Sequence, residues 1–301
     1  LWRAAAVSFE RTVGAHRLGA EVAVADPGVG AAVVSLSTRM GSSSHVTVLL
    51  RSVSSRFSMR HGPPAAVEAS DGTGETGALV AGGTKRGPWA FRFVADASAR
   101  PWANASSAWP GDRWSFRTEI TREVGRIVLT ARGAHARSTD DVDPTPLTPQ
   151  ALSAPRSTWR SGFRLQADVP VGRLIEARFR WEVARARGAS GVSSTSALLY
   201  QQVRWRPTRW LVVEARDASF IVQATEARLY VHETDVLYQP VLSTFTGDGF
   251  RRFLRVRLDV GPHVVVEAKA GLLEQARSTS DPAPAPIQRR TDARVQIRVK
   301  R

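Results

Sequence analysis

Six histidines, His16, His45, His61, His135, His232 and His263, are the first places to look for acid–base chemistry. They are scattered, and none lies in a nucleophile context, where a hydroxyl, an imidazole and an orienting group must meet. His232 with Glu233 and Asp235 is the one acid–imidazole cluster at the end of an extended segment. It reads as a proton relay or protease centre or, the reading preferred here, as a hydrogen-bond network flanked by Tyr230 and Tyr238 at an apolar–water boundary. Asp140, Asp141 and Asp143 offer the clustered oxygens a hard cation wants, but without the glycine and distal glutamate of a calcium loop. A solvated acidic loop is preferred there. Gly72–Gly83 precedes no helix and is not a phosphate loop. Cysteine is absent, which removes thiolate metal sites, disulfides and a cysteine nucleophile. No catalytic residue, metal site or cofactor is assigned, and the chain is expected not to be an enzyme.

The arginines remain. Lysine and arginine total 42 against 27 acids, a net charge of +15, and only Lys85, Lys269 and Lys300 are lysines. Such a balance suits anionic partners such as small anions or nucleic acid. A GC-rich coding sequence accounts equally for arginine over lysine, though not for the net charge.

The spacing of these charges identifies the elements that carry them. Side chains alternate across a strand, so a strand between two environments reads with period two. From Arg173 to Arg185, Ile175, Ala177, Phe179, Trp181 and Val183 share one face and Glu176, Arg178, Arg180 and Glu182 the other. The pattern recurs from Trp114 to Ile120, Trp159 to Asp168, Arg251 to Val260, Val264 to Ala270 and Ala293 to Lys300. On a helix these residues would leave no apolar stripe. If the alternation is carried through, the polar face holds Arg117, Glu119, Arg164, Glu176, Arg178, Arg180, Glu182, Arg204, Glu214, Arg216, Arg255, Arg257, Asp259, Glu267, Arg294 and Arg298, and with them Arg228.

Short turns such as Glu123–Arg126, Val169–Gly172 and Val260–His263 alternate with long loops such as Phe57–Gly74, Ser138–Ser157 and Gln239–Gly249. No segment approaches the ~18 uninterrupted apolar residues of a membrane helix. Strict alternation, this rhythm and tryptophans near strand ends together predict an all-β closed antiparallel transmembrane β-barrel of about sixteen strands. Residues 1–301 are read as one domain, a mature form or a piece of something longer. The polar face is expected to line the lumen and the apolar face to meet outer-membrane lipid.

Phe179–Trp181, Leu198–Pro207, Leu229–Tyr238 and Gly247–Leu254 resemble the C-terminal outer-membrane barrel of ComEA-like helix-hairpin-helix envelope proteins of the Bacteroidetes and Gemmatimonadetes type. The similarity is specific over Tyr200–Tyr238, where Tyr200, Gln201, Arg204, Tyr230, Glu233, Asp235 and Tyr238 carry the motif. Gln202 stands where the family has an acid and Thr234 where it has asparagine. The resemblance implies a bacterial outer-membrane location. The function expected is a non-enzymatic pore, or an anchor for an unidentified envelope partner, with an arginine-rich lumen. Its rivals are a polyanion or DNA-uptake accessory channel and a soluble β-rich protein.

Overall fold

The computed structural model describes residues 4–25, 29–54, 74–100, 110–141, 155–188, 191–233, 241–276 and 287–299. All regular structure in them is antiparallel strand, apart from one 3-10 turn at Thr225–Ala227. The strands are β1 (Ala4–Val13), β2 (His16–Ala25), β3 (Val29–Met40), β4 (Ser44–Val53), β5 (Glu75–Arg86), β6 (Trp89–Arg100), β7 (Gly111–Val124), β8 (Ile127–Asp141) and β9 (Pro155–Val171). They continue with β10 (Ile175–Arg187), β11 (Ser193–Thr208), β12 (Leu211–Val222), β13 (Leu229–Glu233), β14 (Val241–Phe245), β15 (Gly247–Val260), β16 (Val264–Ala276) and β17 (Ile287–Val299).

Hydrogen bonding links fifteen of these in sequence order, with β12 followed directly by β15, and sets β13 and β14 apart as a two-stranded hairpin. The expected count of about sixteen is therefore revised: seventeen strands form among the described residues, fifteen in the main sheet. The loop expected at Gln239–Gly249 contains β14 and the start of β15.

The turns follow from glycine. Gly125 and Gly172 take φ of +59° and +70°, a left-handed conformation that residues with a Cβ rarely adopt and that tight hairpin turns demand. The chain divides into two compact units. The first holds Leu1–Ile120, Gly133–Trp159 and Gly188–Val192; the second holds Thr121–Arg132, Arg160–Arg187 and Ser193–Arg301.

In the first unit the apolar side chains mostly face outward. Val7, Phe9, Val22, Val34 and Leu50 are between 45% and 73% exposed, and among the described residues the opposite face buries Val29, Ala31 and Val53 as a small apolar cluster. In the second unit the core is larger. Ala184, Leu198, Tyr200, Ala218, Phe220 and Val222 from β10–β12 close over Leu229, Val231 and Phe245 of the hairpin. Phe220 and Phe245 stack with centroids 4.3 Å apart and planes 9° from parallel.

Candidate functional site

The register of the second unit turns the sequence alternation into rows. Directly paired residues of antiparallel strands share a face. Glu176, Arg204, Glu214, Arg255, Lys269 and Arg294 thus stand in line across β10, β11, β12, β15, β16 and β17. One step toward the longer connections lies the row Arg178, Gln202, Arg216, Phe253, Gly271 and Asp292. On the reverse face the matching row is Ile175, Trp205, Val213, Val256, Ala268 and Val295. Across these rows one face is charged and the other apolar, while further along the apolar face Arg252 pairs with Asp217 at 2.5 Å.

The charges on that face are laced together. Arg255 donates to Glu267 at 2.9 Å and to Glu214 at 3.5 Å. Gln202 donates to Glu214 and accepts from Arg216, whose guanidinium also lies over the rings of Tyr200 and Phe253. Arg257 pairs with Asp259 at 2.9 Å, Arg164 with Glu182 at 3.0 Å and Arg178 with Asp168 at 2.5 Å; Arg180 also bonds Glu182. Arg204 stands 4.0 Å from Glu176. Arg294 and Arg298 are half-buried on the same face of β17. In the first unit, Arg117 and Glu119 alternate with the exposed Trp114, Phe116 and Ile120, and Glu119 meets Arg92 at 3.6 Å.

Arg228 is a correction. It caps the 3-10 turn, where its Nε donates to the Thr225 carbonyl, and belongs to no strand. Strand parity does not extend across that turn.

Glu233 organises a buried group at the hairpin. Its carboxylate, 1% exposed, accepts from Arg251 Nε at 3.0 Å, Arg251 Nη2 at 3.1 Å and Lys269 Nζ at 3.0 Å. Arg251 Nη1 donates to Asp292 at 2.5 Å. The hairpin lies outside the main sheet, so Glu233 reaches β15 and β16 from beside them rather than along a ladder. Burial pushes its carboxyl up, and the hydrogen bonds and charges of Arg251 and Lys269 outweigh this, taking it down to about 2. Gly271 makes the arrangement possible: a Cβ there would lie 2.7 Å from Arg251 Nη2.

The motif residues divide. Tyr200 is 4% exposed between the guanidiniums of Arg180 and Arg216, at 5.4 and 4.8 Å, whereas its neighbour Gln201 faces the other way and is exposed. Tyr230 is 39% exposed beneath Arg160, whose Nη2 donates to the Arg228 carbonyl. His232 pairs with Leu242 through the backbone, but its side chain, with Asp235, Tyr238, Asp143 and the side chains of Asp140 and Asp141, lies outside the described residues. His135 sits between Trp114 and Trp159, with ring centroids at 4.7 and 6.3 Å.

Sequence reasoning missed Arg251 and Lys269 as partners of Glu233, and Asp292 as the second acid on Arg251. Arg251 and Lys269 share the parity of Arg255 and Glu267, a signal that was present. Nothing in the sequence indicates that Glu233 folds back onto them.

No family model matches the chain, and no curated protein matches it. Among solved structures, the chain is similar to the ferric preacinetobactin receptor BauA of Acinetobacter baumannii, with 12% identity and a TM-score of 0.53 over 98% of this chain and 57% of that one. It is similar to the ferric citrate transporter FecA in its unliganded form, with 11% identity and a TM-score of 0.52 over 99% and 53%. The copper transporter OprC gives 10% identity and a TM-score of 0.52 over 96% and 56%. The chain thus spans little more than half the length of each. At this identity the likeness shows the fold: an antiparallel all-β chain of the kind found in outer-membrane β-barrel proteins.

Proposed function

We propose that the sheet closes into a single outer-membrane β-barrel, non-enzymatic, with the charged face toward a lumen and the apolar face against lipid. In this reading the protein is a small-solute pore or an anchor for an envelope partner. It belongs with the barrel region of the ComEA-like helix-hairpin-helix envelope proteins that the Tyr200–Tyr238 stretch resembles.

One observation carries the reading. Phe179, Trp181, Val203, Trp205 and Leu254 are 43–49% exposed on one face, while Arg180, Glu214, Arg216, Arg255 and Glu267 are at most 7% exposed on the other. Soluble monomers rarely expose contiguous apolar patches above a few hundred Å². A strand face this apolar calls for hydrocarbon, and aromatic rings suit its boundaries. The mutual pairing of the charges favours a laced lumen over an open, uncompensated arginine ring.

Membrane fractionation with gel migration before and after heating tests this. The expected result is recovery with the outer membrane and a heat-dependent mobility shift. Detergent-free monomers in the soluble fraction overturn it. The net charge of +15 favours a second reading, a conduit for polyanions. That reading requires DNA binding by the refolded chain to fall steeply with salt.

A further inference from the structure

The β13–β14 hairpin has five residues in each strand and no place in the main ladder. An isolated two-stranded hairpin is marginal in water, so its order depends on what it sits against. It sits on an apolar floor, where Leu229, Val231 and Phe245 are 0%, 1% and 2% exposed against Leu198, Phe220 and Val222. At one end of that floor, Arg251 and Lys269 hold the Glu233 carboxylate. From Leu229 to Glu233 the strand rise gives about 13 Å. What the hairpin offers the sheet is therefore an apolar body ending in a carboxylate.

We propose that the seat beneath the hairpin is a binding site for an acyl carboxylate of similar length, occupied in this state by the chain's own β13. The ligand's carboxylate replaces that of Glu233 on Arg251 and Lys269, and its acyl chain replaces Leu229 and Val231 over Leu198 and Phe220. Exchange requires no ladder bond of the main sheet to break. Ser196 Oγ, which donates to the Ala227 carbonyl, and Arg160, which donates to that of Arg228, also hold the hairpin's approach. The site stands on the second unit's geometry and goes beyond any pore or anchor role.

Hydrogen–deuterium exchange on the refolded full chain tests it, with decanoate as the probe and decan-1-ol as its uncharged counterpart. Decanoate is expected to speed exchange over 229–245 while β10–β12 stay protected, and decan-1-ol to leave the hairpin unchanged. Glu233→Ala, with the competing carboxylate removed, is expected to bind decanoate about tenfold more tightly. Arg251→Met is expected to lose the response. Equal release by decan-1-ol, no gain in Glu233→Ala, or an undiminished response in Arg251→Met each overturns the proposal. Exchange is read whether or not the protein conducts, so a silent bilayer recording counts against the pore alone.

Discussion

Arg51 and Arg251 solve one problem in two ways. Each guanidinium is held by two carboxylates over a glycine: Arg51 by Glu75 at 2.5 Å and Asp96 at 2.8 Å over Gly77, Arg251 by Glu233 at 3.0 Å and Asp292 at 2.5 Å over Gly271. Around Arg51, on β4, the two acids come from the next two strands of the same ladder, Glu75 from β5 and Asp96 from β6. Around Arg251 one acid arrives from the hairpin, which pairs with no strand of the main sheet. The first is a staple within a sheet; the second ties a separate element to it. Arg51 Nη2 is buried with no hydrogen-bond partner among the described residues, whereas all three nitrogens of Arg251 donate. Identical chemistry thus stabilises a ladder in one unit and ties a separate hairpin to the sheet in the other.

Removing the arginines separates the roles most strongly. Arg251→Met takes the Arg251 donors from the buried Glu233 carboxylate, and Arg51→Met takes the Arg51 donor from Glu75, whose side chain is 0% exposed. Breaking a buried pair by deleting one partner costs about 3–5 kcal/mol. For Arg51→Met that cost is expected in the exchange of β4–β6. For Arg251→Met it is expected in the hairpin, with β15 and β16 still protected by their ladders. If both substitutions loosen strands alike, the hairpin is not a separate element.

The same contrast explains what the sequence reveals. The charged face of β10, β11, β12, β15 and β16 follows from alternation, because a period of two depends only on neighbours along the chain; Glu176, Arg180, Glu214 and Arg255 stand on one face for that reason. Glu233 does not follow, since its partners Arg251 and Lys269 are reached by a fold-back that no local pattern encodes. Alternation also misleads near the longer connections of β10–β12. There Ala184, Leu198, Phe220 and Val222 put apolar side chains on the charged face, because the hairpin replaces water over it.

Acid gives a second way to part the two regions. The Glu233 carboxyl is taken below its ordinary 4.5 to about 2, with Arg251 and Lys269 facing it and Asp292 behind Arg251. A depressed carboxyl contributes stability that is full above its unfolded value and lost as pH falls through its folded one. The hairpin is therefore expected to stay seated from neutrality down to about 4.5 and to leave as pH approaches about 2. Pepsin cleavage between 229 and 245 reads this directly. Glu233→Gln should be cut there at every pH at which pepsin works; cleavage of the wild type already near its ordinary carboxylate range would show that the latch is weaker than its geometry.

The glycines give the smallest and sharpest test. The three atoms nearest a Cβ at Gly271 all belong to the end of the Arg251 side chain, with Nη2 at 2.7 Å and Nη1 at 2.8 Å. A Cβ at Gly77 meets Arg51 Cζ at 2.8 Å and also the backbone carbonyl of Ala97 at 2.9 Å. A guanidinium can swing aside at the loss of its hydrogen bonds, whereas a ladder carbonyl cannot move without its strand. Overpacking typically costs about 1–3 kcal/mol, and Gly77→Ala belongs at the upper end, lowering the denaturant midpoint of the sheet. Gly271→Ala should leave that midpoint nearly unchanged and appear instead as faster exchange in 229–245, because the displaced Arg251 no longer grips Glu233. The reverse outcome, a lower sheet midpoint with a well-protected hairpin, would place the strain of Gly271→Ala on the strands and make the two arginines equivalent.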